Sequence, residues 1–135
     1  MVERIEGKKI EEFVGIARVV EKVDSKFGGT RFHIAIEPID PSIKELISGN
    51  QTGMLHSWIR VSRLTTDDRV VEGSAMDVYL RKVESVIKEA KDKATIEDAL
   101  KTLIGKKILY RFEQIGRAYK NYEGSKAYVP VILKE

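Results

Sequence analysis

Apolar residues change their spacing twice along this chain, and the order of those changes restricts the fold more than any single motif does. Thr30 to Ile36 alternates, with Phe32, Ile34 and Ile36 on one side and Arg31, His33 and Ala35 on the other. That is the period of two of a half-buried strand, so the first set is expected in the core and the second outside. Met54 to Arg63 alternates again, placing Leu55, Ile59 and Val61 inward and His56, Trp58 and Arg60 outward. From Met76 to Ala90 the apolar positions Met76, Tyr79, Leu80, Val83, Val86, Ile87 and Ala90 recur at helical spacing. Strand-like content then returns, aromatic and β-branched, from Lys107 to Ile115 and from Tyr128 to Leu133.

Around this skeleton the local signals are consistent. Lys9 to Val23 is rich enough in β-branched residues for one long strand. Its alternation breaks, because Phe13 and Val19 share one parity while Val14, Ile16 and Val20 share the other, which predicts a bulge near Gly15 or Ala17. Asp24 to Gly29 reads as a turn carrying Lys26 and Phe27 outward. Pro38 and Pro41 end the second strand, and Ser42 to Ile47 reads as a short helix capped by Ser42. Ser74 with Asp77, and Thr95 with Asp98, have the spacing of capping boxes, the first opening a helix that continues towards Lys93. Gly105 is the expected C′ residue of the second helix.

Length and composition narrow the class. A chain of 135 residues suits one domain with a real core. Cysteine is absent, which excludes disulfides, thiolate zinc sites and cysteine nucleophiles and suits an intracellular protein. The opening MVERIEGKKIEE is charged and has no apolar export core, and no run approaches membrane-span length, so a soluble, cytoplasmic protein without a membrane partner is expected. Lys, Glu and Ile are plentiful while Asn and Gln are scarce, a balance that suits a thermophile. The net charge of +3 is too small to argue for a polyanionic partner by itself. Its distribution says more. From Gly105 onward Lys106, Lys107, Arg111, Arg117, Lys120, Lys126 and Lys134 stand against Glu113, Glu123 and Glu135.

Two places mix cations with aromatic rings. Between the last two strands, Arg117, Tyr119, Lys120, Tyr122 and Lys126 form the tip of a long hairpin. On the sheet, antiparallel pairing of the second and third strands would display Arg31, His33, His56, Trp58 and Arg60 on one face. Such mixtures neutralise phosphates and stack on bases. A parity error of one residue would instead bury the Trp, and a basic tyrosine-containing loop is also an ordinary surface feature.

Three strands, a helical connection and a final hairpin, with a first strand bent near a glycine, is the order of a mainly β chain with helices (α+β). It predicts a five-stranded OB-fold-like Greek-key barrel with a helical insertion between strands three and four. The ligand face of that fold lies on strands two and three, flanked by the loops joining strands one to two and four to five, which is where the decorated stretches fall. The segments GSAMDVYLRKVESV, ALKTLIGKKILYRFEQ and YEGSKAYVPV resemble the C-terminal half of archaeal and phage single-stranded DNA-binding proteins of the replication protein A type. Leu103, Gly105 and Lys106 match the family's Leu-x-Gly-Lys turn, and Tyr119, Lys120 and Tyr122 match the character of its basic aromatic loop. The chain departs in having no cysteine zinc element of the kind some relatives carry and no acidic tail like that of bacterial single-strand binders, and its helical region is long for the family.

The expectation is a sequence-tolerant binder of single-stranded nucleic acid, DNA in the first place or else RNA. Arg31, Arg60, Arg117, Lys120 and Lys126 would track phosphates while Phe27, Trp58, Tyr119 and Tyr122 stack on bases, with Lys26, His33 and His56 completing the surface. The alternative is a protein-interaction module, a subunit of a replication or repair assembly docking through its barrel or its long helix. Catalysis is not expected, nor a cofactor or metal. His33 and His56 lack a third evident ligand, Asp67 and Asp68 read as a turn, and GNQTG and GGTRF lack the spacing of a phosphate-binding loop.

Overall fold

The first strand, β1 (Glu12–Asp24), has two partners and changes from one to the other along its length. The computed structural model describes residues 10–24, 30–46, 53–61, 69–116 and 124–134. Over Glu12 to Ile16, β1 pairs with β4 (Lys107–Gln114), and from Gly15 to Asp24 it pairs with β2 (Thr30–Pro38). The register against β2 shifts between Ala17 and Val19, so the core side changes from Phe13, Gly15 and Ala17 to Val20. This is the expected bulge, on the Ala17 side. Gly15 lies where the two pairings meet. A Cβ there would come within 2.7 Å of Ile36 Cγ2 and of Phe13 Cε2 and 2.9 Å of the Glu37 carbonyl, so only glycine lets the strands approach this closely.

With β3 (Leu55–Val61) and β5 (Lys126–Leu133) the sheet has the order β3-β2-β1-β4-β5, every neighbouring pair antiparallel. The protein is therefore α+β and mainly β. The sheet is not closed by a backbone ladder, yet its two edges meet at one point: the Tyr128 N–H of β5 donates to Ser57 Oγ of β3 at 2.9 Å, both residues being buried.

Helices fill the connections. α1 (Pro41–Leu46) is capped by Asp40, whose carboxylate accepts from the Ser42 N–H at 2.9 Å and the Ser42 hydroxyl at 2.8 Å. Ser42 is thus not the cap, as expected from sequence, but sits inside the first turn after a proline that has no N–H to lose. α2 (Ala75–Val86) is capped by Ser74, whose Oγ accepts from the Asp77 N–H, while the Asp77 carboxylate reaches back to the Gly73 N–H. The helix stops earlier than its apolar spacing predicts. Ile87 is extended, at φ −123° and ψ 102°, and a 3₁₀ segment follows over Lys88–Asp92. α3 (Ile96–Lys101) is capped by Thr95 as expected, but it ends at Thr102. Gly105, at φ 81°, lies further on and is not its C′ residue; it ends the following turn, where its N–H bonds Ala17 O on β1.

The core lies between the sheet and α2 with α3, and joins Phe32, Ile34, Ile36 and Ile59 to Met76, Tyr79, Val83, Leu100 and Leu103. Phe13 stacks on Tyr110 and meets Tyr128 edge-on, at centroid separations of 5.8 and 5.2 Å. The buried Tyr79 hydroxyl donates to the Tyr128 carbonyl at 2.8 Å, so α2 holds β5 at the residue that ties the sheet edges together. No helix among the described residues is long and apolar enough to cross a membrane.

Two substitutions test this frame. Ser57→Ala leaves the buried Tyr128 N–H without its acceptor, and chemical denaturation should show a loss of about 1–3 kcal/mol with faster hydrogen exchange at that amide. Gly15→Ala forces a methyl against backbone and two packed side chains, with an expected loss of about 1–3 kcal/mol by the same measurement. Wild-type stability in both variants would show that neither the edge bond nor the close approach matters.

Candidate nucleic-acid interface

The outer face of β1, β2 and β3 is a grid of three rows set by strand register. Glu21, His33 and Trp58 form the middle row. Val23, Arg31 and Arg60 lie on one side of it, and Val19, Ala35 and His56 on the other. The parity expected for β2 and β3 holds: Phe32, Ile34 and Ile59 are buried, while Trp58 is 45% exposed. Ala35 is a correction. It lies on the outer face but is only 1% exposed, because a lone methyl between Val19 and His56 sits lower than its neighbours.

The structure brings Arg31, His33, His56, Trp58 and Arg60 together. The His33 ring lies over the Trp58 ring, with centroids 4.2 Å apart and planes 15° from parallel. The Arg31 guanidinium carbon is 5.1 Å from the Trp58 centroid, within cation–π range, and Arg31 Nε is buried there with no hydrogen-bond partner among the described residues. Arg18, Arg81 and Arg111 each lie against a carboxylate, whereas among the described residues Arg31 and Arg60 lie against none.

Glu21 was not legible as part of this face. Its carboxylate approaches His33 Nδ1 at 2.8 Å, and His33 Nε2 lies 2.6 Å from His56 Nδ1. The two imidazole planes differ by 12° with centroids 4.9 Å apart, so the rings meet edge to edge in nearly one plane, joined nitrogen to nitrogen. Burial, and next the neighbouring His33, hold the His56 pKa below the usual imidazole range. Both His33 nitrogens are occupied by these contacts, and among the described residues no three His, Cys, Asp or Glu side chains are grouped to hold a metal ion. A signal for Glu21 existed in the sequence: a bulge at Ala17 reverses the parity of everything after it, which turns Glu21 outward.

Lys126 begins β5 in register with Gln114, in a shallow depression shared with Glu11, Glu12, Arg111 and Phe112. Lys26, Phe27, Arg117, Tyr119, Lys120 and Tyr122 lie outside the described residues. The flanks of the hairpin tip are described: Gly124 has φ 91° and packs against the Gly116 carbonyl, leaving no room for a Cβ. Comparison with known protein families finds no model that matches the chain, and comparison with curated proteins finds no significant match.

Proposed function

We propose that this protein binds single-stranded nucleic acid, DNA in the first place, without strong sequence preference, across the outer face of β2 and β3. The observation that carries the reading is Trp58, exposed on a regular strand and held against His33 and Arg31, with Arg60 on the same face. A ring in that setting can stack on any base, and the guanidinium groups beside it can meet the phosphates on either side. Arg117, Tyr119, Lys120, Tyr122, Lys26 and Phe27 join the proposal on sequence alone, as the basic aromatic loops flanking the face.

We further propose that the sheet is the open form of a five-stranded OB-fold-like barrel, related to the single-stranded DNA-binding proteins of the replication protein A type. Supporting this are the strand order, the sharing of β1 between β2 and β4, the meeting of β3 and β5 at Ser57 and Tyr128, and the helices between β3 and β4.

Because Trp58 is the only Trp, its fluorescence reports directly on the face. Titration with a mixed-sequence single-stranded oligonucleotide at low ionic strength should quench it, and affinity should fall steeply as salt is raised. Trp58→Ala should weaken binding, followed by the anisotropy of a labelled oligonucleotide, by about 1–3 kcal/mol. Absence of quenching and of anisotropy change at low salt would remove this reading and leave the protein-docking alternative.

A further inference from the structure

We propose that Glu21 is a positioning residue for the nucleic-acid platform, acting not on the ligand but on Trp58, by holding His33 against the indole. The proposal rests on the reading of this face as a nucleic-acid surface and adds a residue to its machinery. Register supplies the first step. Glu21, His33 and Trp58 stand side by side on β1, β2 and β3. Two strand spacings, about 10 Å, separate the backbone of Glu21 from that of Trp58, so the carboxylate influences the indole through the ring between them. That ring is in contact with both. His33 Nδ1 lies 2.8 Å from the Glu21 carboxylate, and the His33 and Trp58 rings stack with centroids 4.2 Å apart and planes 15° from parallel. The His33 side chain is 12% exposed whereas Trp58 is 45% exposed, so a base arriving at the face meets the indole. His33 is thereby a support for the platform, where its position in the sequence suggested a contact.

Hydrogen-bond chemistry explains why the support needs a carboxylate. The χ2 torsion of an imidazole is broad and has no sharp staggered minimum, so its plane is set by what its nitrogens meet. An ionised carboxylate only accepts, so the Glu21 contact draws the N–H to His33 Nδ1. At the other nitrogen, Nε2 meets His56 Nδ1 at 2.6 Å, a contact of one N–H with one lone pair. Held at both ends, the ring keeps the plane in which it stacks on Trp58. Without Glu21 the Nδ1 end is released, and the ring can swing about its remaining contact. β3 stands at one end of the sheet order, so β2 is the strand that backs its outward indole. Arg31, also on β2, reaches the same indole, but its long flexible stem fixes a plane less well than a ring held at two nitrogens. The charge of Glu21 gives the proposal a sign that can be tested. An acid on a surface that binds phosphate opposes association, so a Glu21 that contributed charge alone would tighten binding when removed. A Glu21 that positions Trp58 has a second effect of opposite sign: its loss leaves the ligand to order the indole, which weakens binding about two- to tenfold.

Glu21→Gln and Glu21→Ala separate the two effects, because both remove the same charge and only glutamine keeps an oxygen that can accept from His33 Nδ1. The Glu21 side chain is half exposed, so neither change opens the core. The test uses the whole chain and a labelled oligothymidylate of about 16 nucleotides, followed by fluorescence anisotropy at low salt. Glu21→Ala should bind about two- to tenfold more weakly than Glu21→Gln. A second readout needs no ligand. Trp58 is the only Trp, so NMR relaxation of its indole N–H is read from one resonance. Its order parameter should lie near the rigid value of about 0.85 in the unmodified protein and in Glu21→Gln, and fall below about 0.6 in Glu21→Ala. Equal affinities in the two variants, or an indole equally ordered in all three proteins, would overturn the proposal and leave the binding face in place. Absence of oligothymidylate binding by all three at low salt would overturn the face itself, and the proposal with it.

Discussion

The register shift between Ala17 and Val19 is the feature on which both sides of this protein depend. Before it, β1 gives Phe13, Gly15 and Ala17 to the core, pairing with β4 over Glu12 to Ile16 and with β2 from Gly15 onward; after it, the strand gives Val20 to the core while still pairing with β2. A strand of constant parity would have turned Val20 away from the core that Phe13 and Ala17 face. Bulges bend a strand and add twist, which is what this turning requires. Gly15 makes the turn possible at close quarters, and Ala17, fully buried, takes a Gly105 N–H on its carbonyl, so the second helical turn region is anchored to the same place.

The consequence appears at the sheet edges. A five-stranded antiparallel sheet with exposed edges offers two rows of unpaired backbone groups. Here the bend brings β3 and β5 near each other, and Ser57 Oγ takes the Tyr128 N–H on the side of β5 away from β4. The same Tyr128 receives the Tyr79 hydroxyl on its carbonyl and sends its own hydroxyl to the Ile10 carbonyl. One residue thus links α2, β3, β5 and the segment leading into β1. A serine at an otherwise apolar inward position of β3 is explained by this bond, since an alanine there would leave a buried donor unmet.

The sequence was legible where period and side-chain size agree. Ile34 and Ile59 fix the inward parity of β2 and β3, so Trp58 on the outer face followed from spacing alone. The extra length expected of α2 was not, because Ile87 and Ala90 stay buried after the helix breaks and apolar spacing cannot register a break that leaves the buried side unchanged. Consecutive β-branched residues at Val86 and Ile87 weaken the helix at that point. Two capping residues flank Pro41, and the choice of Asp40 over Ser42 turns on the proline occupying the first helical position, which places the cap before it. Glu21 was hidden for a different reason: a bulge recognised only to within a few residues does not say on which face later residues emerge.

That hidden residue controls the geometry of the exposed one. Trp58 stands half exposed, but the ring beneath it does not turn freely, because Glu21 holds His33 at Nδ1 and His56 holds it at Nε2. The platform is thereby set during folding. For a ligand that stacks on Trp58, the ordering of a large side chain, about 0.5–1.5 kcal/mol, is largely met before association. The same carboxylate brings a negative charge to a face that also carries Arg31 and Arg60. Its partner is an imidazole, which can both accept this contact and lie over the indole; a lysine could pair with Glu21 but could not stack on the indole, and a phenylalanine would stack but could not be held. A histidine at position 33 meets both demands at once, which is a physical reason for the array to be built around it.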